Sequence, residues 1–238
     1  MDYENWEPNY RQILADFDFD PADDESSAGF LARRLEELEK NLEPVSEIDL
    51  QDLIMDKKVF VFGEGPTLEE DLKNFSDDGT VIAADGATSA LLEHDIIPDI
   101  IVSDLDGAVE DQVEAVSRGA IILIHAHGDN RDKLEKWLPG FRGRVMGTSQ
   151  SRPPKGLYNF GGFTDGDRSV YLADHFKADS IDLIAFDFLE VGDSAKKSGE
   201  EVKLKLRKLT WANLLIGLLA NPRVNFVPPP GKNREFLF

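Results

Sequence analysis

Cysteine is absent from the 238-residue sequence. Disulfide bonds, thiolate-held zinc, iron–sulfur clusters and cysteine nucleophiles are therefore excluded. Long apolar runs are absent too, because Ala120–Ile124 and the interrupted stretch Trp211–Ala220 are shorter than the roughly 20 residues that cross a bilayer. The N-terminus is acidic and has no apolar core, unlike a secretory signal. We predict a cytoplasmic protein with no membrane partner.

Basic residues are few, since 26 Lys and Arg stand against 46 Asp and Glu, a formal net charge of −20. A field of this sign repels phosphate backbones, so we expect no nucleic-acid partner. The excess is uneven: residues 1–56 contain 17 acidic and 4 basic side chains, a net charge of −13. A small polyphosphate held by a metal ion and local cations remains compatible with the rest of the chain.

The acidic first quarter, residues 1–56, is predicted to form a helical extension packed on a catalytic domain of residues 57–238. Within the extension, the polar stretch Asp16–Ser27 is predicted to be a loop. Apolar residues at helical spacing predict one helix over Gly29–Leu42 and a second, short helix around Ile48–Ile54.

Short β-rich runs alternate with helical patterns after residue 56. Runs such as Val59–Phe62 and Ile121–Ile124 are apolar on both faces, as in strands covered by helices on each side. The alternation predicts an α/β fold with an open, mostly parallel, Rossmann-like sheet and helices on both faces. The predicted strands are Lys58–Phe62, Thr80–Ala84, Ile100–Ser103, Ala120–Ala126, Arg144–Met146, Ser180–Phe186 and Arg223–Val227. The predicted helices span 67–75, 88–94, 109–118, 130–138, 167–177 and 202–219.

Ligands of open α/β sheets bind at the carboxyl ends of the strands, and the first predicted strand is followed by Gly63, Gly65, Pro66 and Thr67. Glycines permit close approach of a phosphate, Pro66 suits a first helical turn, and helix N-termini attract anions. These four residues are predicted to bind nucleotide. A tight capped turn is the alternative, because a P-loop lysine and a third fingerprint glycine are missing.

Asp104 and Asp106 follow a buried strand at positions i and i+2, and Asp85 with Gly86 ends the neighbouring strand. Carboxylate oxygens suit Mg²⁺, which would bridge them to the phosphates of a substrate. Asp85, Asp104 and Asp106 are therefore the predicted metal ligands. Asp104 and Asp106 are also predicted to be catalytic, and Asp85 and Gly86 to contact the nucleotide. For the Asp-x-Asp pair alone, a solvated acidic loop is the alternative.

His125 and His127 lie on one face at the end of an apolar strand and are followed by Asp129 and Asn130. The two rings could ligate a transition metal, or one could contact phosphate while the other binds the backbone. Asp129 and Asn130 suit contact with phosphate, metal or substrate, or a helix cap. His125 and Asp129 are predicted catalytic residues.

A glycine-rich connection, residues 161–168, leads into the predicted helix 167–177. Asp165, Asp167 and Arg168 are predicted to contact substrate or nucleotide, and the glycines to form a lid or a close-approach loop. A long connection with Asp167 as the helix cap is the alternative.

Cations concentrate in residues 196–208, which carry six basic and two acidic side chains. Lys196, Lys197 and Lys203 are predicted to reach a polyphosphate, because charged donors bind phosphate oxygens strongly. A solvated helix face is the alternative.

Five motifs in this order resemble the archaeal 6-hydroxymethyl-7,8-dihydropterin pyrophosphokinase family, as a set and over most of residues 57–227. They are Gly63-Glu-Gly-Pro-Thr-Leu68, Ala84-Asp-Gly-Ala87, Pro98-Asp-Ile-Ile-Val-Ser-Asp-Leu-Asp-Gly107, His125-Ala-His-Gly-Asp-Asn130 and Gly161-Gly-Phe-Thr-Asp-Gly-Asp-Arg168. The resemblance implies Mg²⁺-dependent transfer of diphosphate from ATP to a pterin alcohol, releasing AMP, in tetrahydromethanopterin- or folate-type biosynthesis. Residues 1–56 also fit the family's helical N-terminal extension.

The residues themselves suggest which side chains would serve the reaction that the resemblance implies, with Asp104 and Asp106 holding Mg²⁺ and Asp85 supporting them. The Gly63–Thr67 turn and cations of residues 196–208 would bind the phosphates of ATP. The residues that would steer the substrate hydroxyl are His125, Asp129 or Asp167. Candidates for contact with the pterin ring are Asn159, Phe163 and Asp165.

Three other functions stay open at this point. Thiamin pyrophosphokinases have similar motifs, although Ala87 here stands in place of a second glycine and no long all-β domain follows. A nucleotide-sugar glycosyltransferase also uses an Asp-x-Asp pair with Mg²⁺. A non-catalytic nucleotide-binding module is the third, disfavoured by carboxylates at three neighbouring strand ends. The sequence also leaves open whether the chain forms a homo-oligomer.

Overall fold

A computed structural model describes residues 3–73, 75–76, 78–189 and 199–227 and shows one sheet. Its strands are β1 Leu42–Pro44, β2 Lys58–Phe62, β3 Thr80–Ala84, β4 Ile100–Ser103, β5 Ile121–Ala126, β6 Gly143–Ser149, β7 Leu157–Tyr158, β8 Ser180–Ile184 and β9 Val224–Phe226. The helices described are α1 Tyr3–Phe17, α2 Pro21–Leu38, α3 Glu47–Ile54, α4 Leu68–Leu72, α5 Ala87–Glu93, α6 Val109–Ser117, α7 Arg131–Trp137, α8 Asp165–His175 and α9 Gly199–Leu218.

The strands lie in the order β1-β6-β5-β4-β3-β2-β8-β9, and β7 also pairs with β6. Every pairing between the described strands is parallel. The predicted open α/β sheet is therefore confirmed, and β2, β3 and β4 have the predicted bounds.

The two faces of the sheet bury alternate residues of the central strands. Phe60 and Phe62 of β2 pack in one apolar cluster, whereas Val59 and Val61 pack in another. Because successive side chains of a strand point to opposite faces, a run that is apolar throughout needs a covering layer on both sides. Helices supply both layers, as predicted.

The predicted loop over Asp16–Ser27 is wrong, because α1 and α2 occupy most of this stretch. Asp20 caps α2 by accepting a hydrogen bond from the backbone N–H of Ala22 at 2.9 Å, and Pro21 takes the first helical position. Acidic residues in the first turn are favourable there, since they face the positive end of the helix dipole. The same charges that resemble a solvated loop therefore begin a helix.

The helix predicted over Gly29–Leu42 begins earlier and ends at Leu38, because Leu42 belongs to β1. The short helix predicted around Ile48–Ile54 is confirmed as α3, which Ser46 caps. The short strands β1 and β7 were not predicted, and both pair with β6, which is longer than predicted. Strands of two or three residues show no alternation that a sequence pattern could reveal.

The N-terminal helix α1 packs against the later part of the chain. Trp6, Tyr10 and Ile13 form an apolar cluster with Tyr171 of α8 and Leu215 of α9. The indole of Trp6 also donates a hydrogen bond to the backbone oxygen of residue 150 at 2.9 Å. The extension is thereby held at the carboxyl end of the sheet, beside the loop that follows β6.

The strand order changes direction at β2. The chain adds β3, β4, β5 and β6 on one side of β2 and then returns to add β8 and β9 on the other. In α/β sheets, a ligand-binding crevice opens at the carboxyl ends of the strands at such a reversal. Among the described residues, no helix is long and apolar enough to cross a membrane.

Candidate active site

A cavity of about 440 Å³ lies along the carboxyl edge of the sheet. The loops after β2, β3, β4, β5, β6 and β8 line it, together with residues of α2, α8 and α9. The predicted site residues that line it are Gly63, Gly65, Asp85, Gly86, Asp104, Asp106, Asp129, Asp165 and Arg168. The predicted site residues Pro66, Thr67, His125, Asp167 and Lys203 are not part of the lining. Lys196 and Lys197 lie outside the described residues.

Three carboxylates meet in this cavity. Asp85 follows β3, Asp104 follows β4 and Asp165 begins α8, and one oxygen from each lies within 4.8 Å of the others. The two loops turn sharply, since Asp85 has φ +38° and Leu105, the residue after Asp104, has φ +64°. Left-handed backbone at side-chain-bearing residues is costly and often marks functional sites.

Burial, together with the neighbouring charge of Asp104, perturbs the pKa values of the other two members of the triad. Burial and the charge of Asp104 raise the pKa of Asp85 to about 6, against hydrogen bonds that Oδ1 accepts from Ser103 at 2.5 Å and Gln112 at 2.8 Å. Burial, followed by the charge of Asp104, also raises the pKa of Asp165 well above its usual range. The folded protein therefore disfavours the ionised forms of Asp85 and Asp165 beside Asp104, and a bound cation would favour them.

His127 bridges two carboxylates at the rim of the triad. Its Nε2 lies 3.0 Å from Oδ2 of Asp104, and its Nδ1 lies 2.8 Å from Oδ1 of Asp129. Burial alone would lower the pKa of His127, but the hydrogen bonds to both carboxylates raise it. Burial would raise the pKa of Asp104, whereas the hydrogen bond and charge of His127 hold it below its usual range. His127 is thus a cationic partner for Asp104.

Asp106 lies outside the triad, although it lines the cavity. Its side chain is 66% exposed and forms an ion pair with Nζ of Lys133 at 2.6 Å. The left-handed turn at Leu105 separates the two aspartates, so residues i and i+2 do not present their oxygens to the same point. The carboxylate that joins Asp85 and Asp104 comes instead from Asp165, about 60 residues later in the chain.

The turn after β2 packs tightly against the end of β8. A Cβ atom at position 65 would lie 2.1 Å from the backbone oxygen of Ala185, so that only glycine fits. The backbone N–H of Gly65 donates a hydrogen bond to that oxygen at 2.8 Å. The hydroxyl of Thr67 donates to Asp71 at 2.8 Å, at the start of the five-residue helix α4. The first glycine motif therefore shapes the cavity wall through strand packing.

Two of the predicted residues are buried and do not line the cavity. Asp167 is buried and caps α8, because it accepts hydrogen bonds from the backbone N–H groups of Phe163 at 2.6 Å and Thr164 at 2.8 Å. His125 is also buried, with Nδ1 3.0 Å from the hydroxyl of Thr148. Burial lowers the pKa of His125 well below its usual value.

Basic side chains reach the cavity from α8 and α9. Arg168 is 7% exposed and donates hydrogen bonds to Asp165 at 3.1 Å and to Oε1 of Gln150 at 3.2 Å. Lys205 and Lys208 of α9 also line the cavity, whereas Lys203 is exposed outside it. Among the described residues, the lysines at the cavity are therefore Lys205 and Lys208, which follow the predicted Lys203 by two and five positions.

Residues that sequence reasoning did not single out complete the lining. Asp24 of α2, 3% exposed, and Gln150, 5% exposed, are both buried at the cavity. Asp24 shares a helical stripe with Ser27, Ala28 and Leu31, which are all buried. A charged residue in phase with an apolar stripe is the signal that could have identified it.

Comparison with solved structures finds a similar fold in the MAf glycosyltransferase from Magnetospirillum magneticum AMB-1. The TM-score is 0.51 and the identity 14%, over 89% of this chain and 39% of that chain. At this identity the likeness concerns the fold alone.

Comparison with curated proteins finds relatives of matching length. Proteins named 6-hydroxymethyl-7,8-dihydropterin pyrophosphokinase from Methanothermobacter thermautotrophicus and Pyrococcus furiosus are each 43% identical, over 228 and 227 residues. The alignments cover 92% and 93% of this chain and 95% of each relative. A relative of the same name from Methanocaldococcus jannaschii is 41% identical over 92% of this chain and 96% of its own length.

The family profile described as 6-hydroxymethylpterin diphosphokinase MptE-like matches residues 33–192, which include the loops that carry all three triad carboxylates. The resemblance that the five motifs carry is thereby confirmed. This chain belongs to the MptE-like 6-hydroxymethylpterin diphosphokinase family.

Proposed function

We propose that this protein transfers diphosphate from ATP to 6-hydroxymethyl-7,8-dihydropterin in a reaction that requires Mg²⁺ and releases AMP. The observation that carries the proposal is the convergence of Asp85, Asp104 and Asp165 in the cavity. The names of relatives aligned over more than nine-tenths of the chain support the pterin acceptor. The reaction would serve tetrahydromethanopterin- or folate-type cofactor synthesis.

The donor set fits Mg²⁺ by its chemistry. The three residues offer carboxylate oxygens, which magnesium prefers. The sequence has no cysteine, and neither Met55 nor Met146 lines the cavity. Asp85, Asp104 and Asp165 are the proposed ligands, so that Asp165 takes the place predicted for Asp106. Mg²⁺ would neutralise charge on the phosphates of ATP when bound.

Cationic side chains around the triad would orient the nucleotide. Arg168 lies against Asp165, while Lys205 and Lys208 reach the cavity from α9. Diphosphoryl transfer needs alignment and charge stabilisation more than a covalent nucleophile. We assign these three cations to phosphate oxygens of ATP, in the role predicted for the basic segment.

The proposed transfer forms one phosphorus–oxygen bond, breaks another and releases the hydroxyl proton. The hydroxyl oxygen of the pterin CH₂OH group bonds to the β-phosphorus of ATP, and the bond from this phosphorus to the oxygen bridging it to the α-phosphorus breaks. AMP leaves with that oxygen, and the diphosphoryl group stays on the pterin. The hydroxyl proton passes to solvent, with Asp129 at the open rim of the cavity as the proposed first acceptor.

A substrate panel tests the proposal. Purified protein is incubated with ATP and Mg²⁺ together with the dihydropterin, thiamin or a UDP-sugar, and AMP and the diphosphorylated product are quantified. We expect AMP only with the pterin, a loss with EDTA, and a loss of about 100-fold in Asp104→Asn. The matched control is Asp132→Asn, an exposed carboxylate of α7, which should retain full activity. AMP release only with thiamin, or full activity in Asp104→Asn, would contradict the proposal.

A further inference from the structure

Asp24 is a buried carboxylate of the N-terminal extension that accepts three hydrogen bonds. Its Oδ2 accepts from the hydroxyl of Tyr10 at 2.7 Å and from Nε2 of Gln150 at 2.9 Å. Its Oδ1 accepts from the backbone N–H of Gly128 at 2.7 Å. The residue is 3% exposed, yet it belongs to α2, outside the strand-end loops that carry the family motifs.

The hydrogen bond between Asp24 and Gly128 begins a chain of contacts, the first arm, that runs through His127 to Asp104. Gly128 directly follows His127, whose ring holds Asp104 at 3.0 Å. Asp24 therefore anchors the backbone of the loop that places His127. The contact is close, because a Cβ atom at position 128 would lie 3.2 Å from Cβ of Asp23.

The hydrogen bond between Asp24 and Gln150 begins the second arm, which runs through Arg168 to Asp165. Gln150 donates its amide N–H to Asp24 and accepts from Nη2 of Arg168 through Oε1 at 3.2 Å. Arg168 in turn donates from Nη1 to Asp165 at 3.1 Å. The two arms thus start at one carboxylate and end at two of the three carboxylates of the proposed metal site.

We infer that Asp24 is a positioning residue that holds His127 and Arg168 in place beside the carboxylate triad. The inference rests on the proposed function in that it takes the triad to be the metal site. The N-terminal extension would then be part of the active site. Partners behind metal ligands fix their orientation, and their loss commonly costs about 10- to 100-fold in metal affinity.

The chemistry of the network explains why a carboxylate is needed at this position. A carboxylate only accepts hydrogen bonds, and the guanidinium of Arg168 only donates them. The amide of Gln150 therefore has one orientation that satisfies both neighbours. An asparagine at position 24 would place its NH₂ group against either the N–H of Gly128 or that of Gln150. Either arrangement breaks one arm, even though the shape of the side chain is preserved.

The experiment measures Mn²⁺ binding to the full chain without nucleotide, by isothermal titration calorimetry and by electron paramagnetic resonance. The variants are Asp24→Asn and, as matched control, Asp174→Asn. Asp174 also accepts two side-chain hydrogen bonds, from Asn221 at 2.6 Å and Arg223 at 3.4 Å, but it lies near the last residue of α8, far along the helix from Arg168. We expect Asp24→Asn to weaken Mn²⁺ binding by about tenfold or more. We expect Asp174→Asn to lower the melting temperature without a change in Mn²⁺ affinity.

A second variant keeps the inference testable should Asp24→Asn fail to fold. Gln150→Met has a side chain of similar length and interrupts only the arm through Arg168, while Asp24 keeps its bond to Gly128. We expect a smaller loss of Mn²⁺ affinity than in Asp24→Asn. Unchanged Mn²⁺ affinity in a folded Asp24→Asn variant, or in Gln150→Met where the first is unfolded, would overturn the inference.

The two proposals fail in different ways. If the unaltered chain binds Mn²⁺ and Asp24→Asn weakens binding, but no AMP forms with the pterin, the proposed reaction is wrong and the positioning role stands. If AMP forms with the pterin and Asp24→Asn leaves Mn²⁺ affinity unchanged, only the positioning role is wrong. No Mn²⁺ binding by the unaltered chain would overturn the metal site and this inference together.

Discussion

Aspartates lie at both ends of the parallel strands, which we call the amino edge and the carboxyl edge of the sheet, and their surroundings differ. At the amino edge, Asp99 precedes β4 and accepts a hydrogen bond from the backbone N–H of Val81 at 2.8 Å. Asp49 of α3 accepts from the backbone N–H of Ser46 at 2.8 Å and from Arg144 at 2.9 Å. Hydrogen bonds from Ser46 and the charge of Arg144 lower the pKa of Asp49. Both carboxylates therefore accept hydrogen bonds from neighbouring donors and have no carboxylate crowded against them among the contacts of the described residues.

At the carboxyl ends of the strands, the same residue type is buried among other carboxylates. Asp85, Asp104 and Asp165 lie close together in a buried setting, and the pKa values of Asp85 and Asp165 are raised. A raised pKa means that the folded protein disfavours the ionised form of these groups. The comparison separates carboxylates that stabilise the fold from carboxylates that are kept at an energetic cost, which is the pattern expected of a functional site.

Replacing one triad member should separate activity from stability most clearly. Asp85→Asn is expected to reduce kcat/KM by about 100-fold, because the proposed metal site loses one carboxylate charge. Above pH 6 the ionised side chain of Asp85 destabilises the fold, so its neutral replacement should raise the free energy of unfolding by roughly 1 kcal/mol. Steady-state kinetics and urea unfolding at pH 8 test both. A variant that lost stability along with activity would contradict this view of the triad.

The cavity wall should be nearly as sensitive to backbone shape as the triad is to charge. Gly65→Ala is expected to reduce activity about tenfold and the free energy of unfolding by about 1–3 kcal/mol, because its Cβ would collide with the backbone of Ala185. Gly29→Ala is the matched control. Gly29 lies in α2 with open space around its Cβ position, so this change should stabilise the protein. Wild-type stability in Gly65→Ala would show that β2 and β8 can separate freely.

The Asp-x-Asp pair offers a finer comparison within the carboxyl edge. Asp106→Asn is expected to reduce kcat/KM by about fivefold at most, because Asp106 is exposed and its partner is a surface lysine. Measured beside Asp104→Asn, this variant decides whether the second aspartate is a metal ligand. Equal losses in the two variants would restore the prediction made from the spacing.

The amino edge should show the opposite response. Asp99→Ala removes the acceptor of the Val81 N–H, which should lower the free energy of unfolding by about 1 kcal/mol. No change in kcat is expected, since Asp99 lies at the far end of β4 from the cavity. Unfolding curves and an activity assay at saturating substrate measure the two effects. A drop in kcat would indicate that the edges are coupled.

Much of the central sheet was predictable from the sequence. The bounds of β2, β3 and β4 follow from runs that are apolar on both faces, a strong and local signal. The strand-end positions of Asp85 and Asp104 follow from those bounds. The start of α2 was missed, although Asp20 and Pro21 are a usual helix-start pair, because the charge of the stretch outweighed the capping signal.

The composition of the site was less predictable. The sequence predicts contact of Asp165 with substrate or nucleotide, and nothing local to its glycine-rich segment connects it with Asp85. Asp24 was overlooked because its neighbours in the sequence are acidic and exposed, whereas its neighbours in space are Gly128 and Gln150. Each of these contacts joins residues far apart in the chain.

The sequence alone established the α/β class, the family resemblance and the edge of the sheet at which polar residues collect. These properties depend on apolar periodicity and on short motifs, both of which are local. Tertiary structure decided that Asp165 joins Asp85 and Asp104 while Asp106 stays at the surface, and that Asp24 reaches the cavity. The physical reason is that crossover connections and helix packing determine which loops lie close together. The hydrogen-bond partners and the pKa of each side chain then depend on those neighbouring loops.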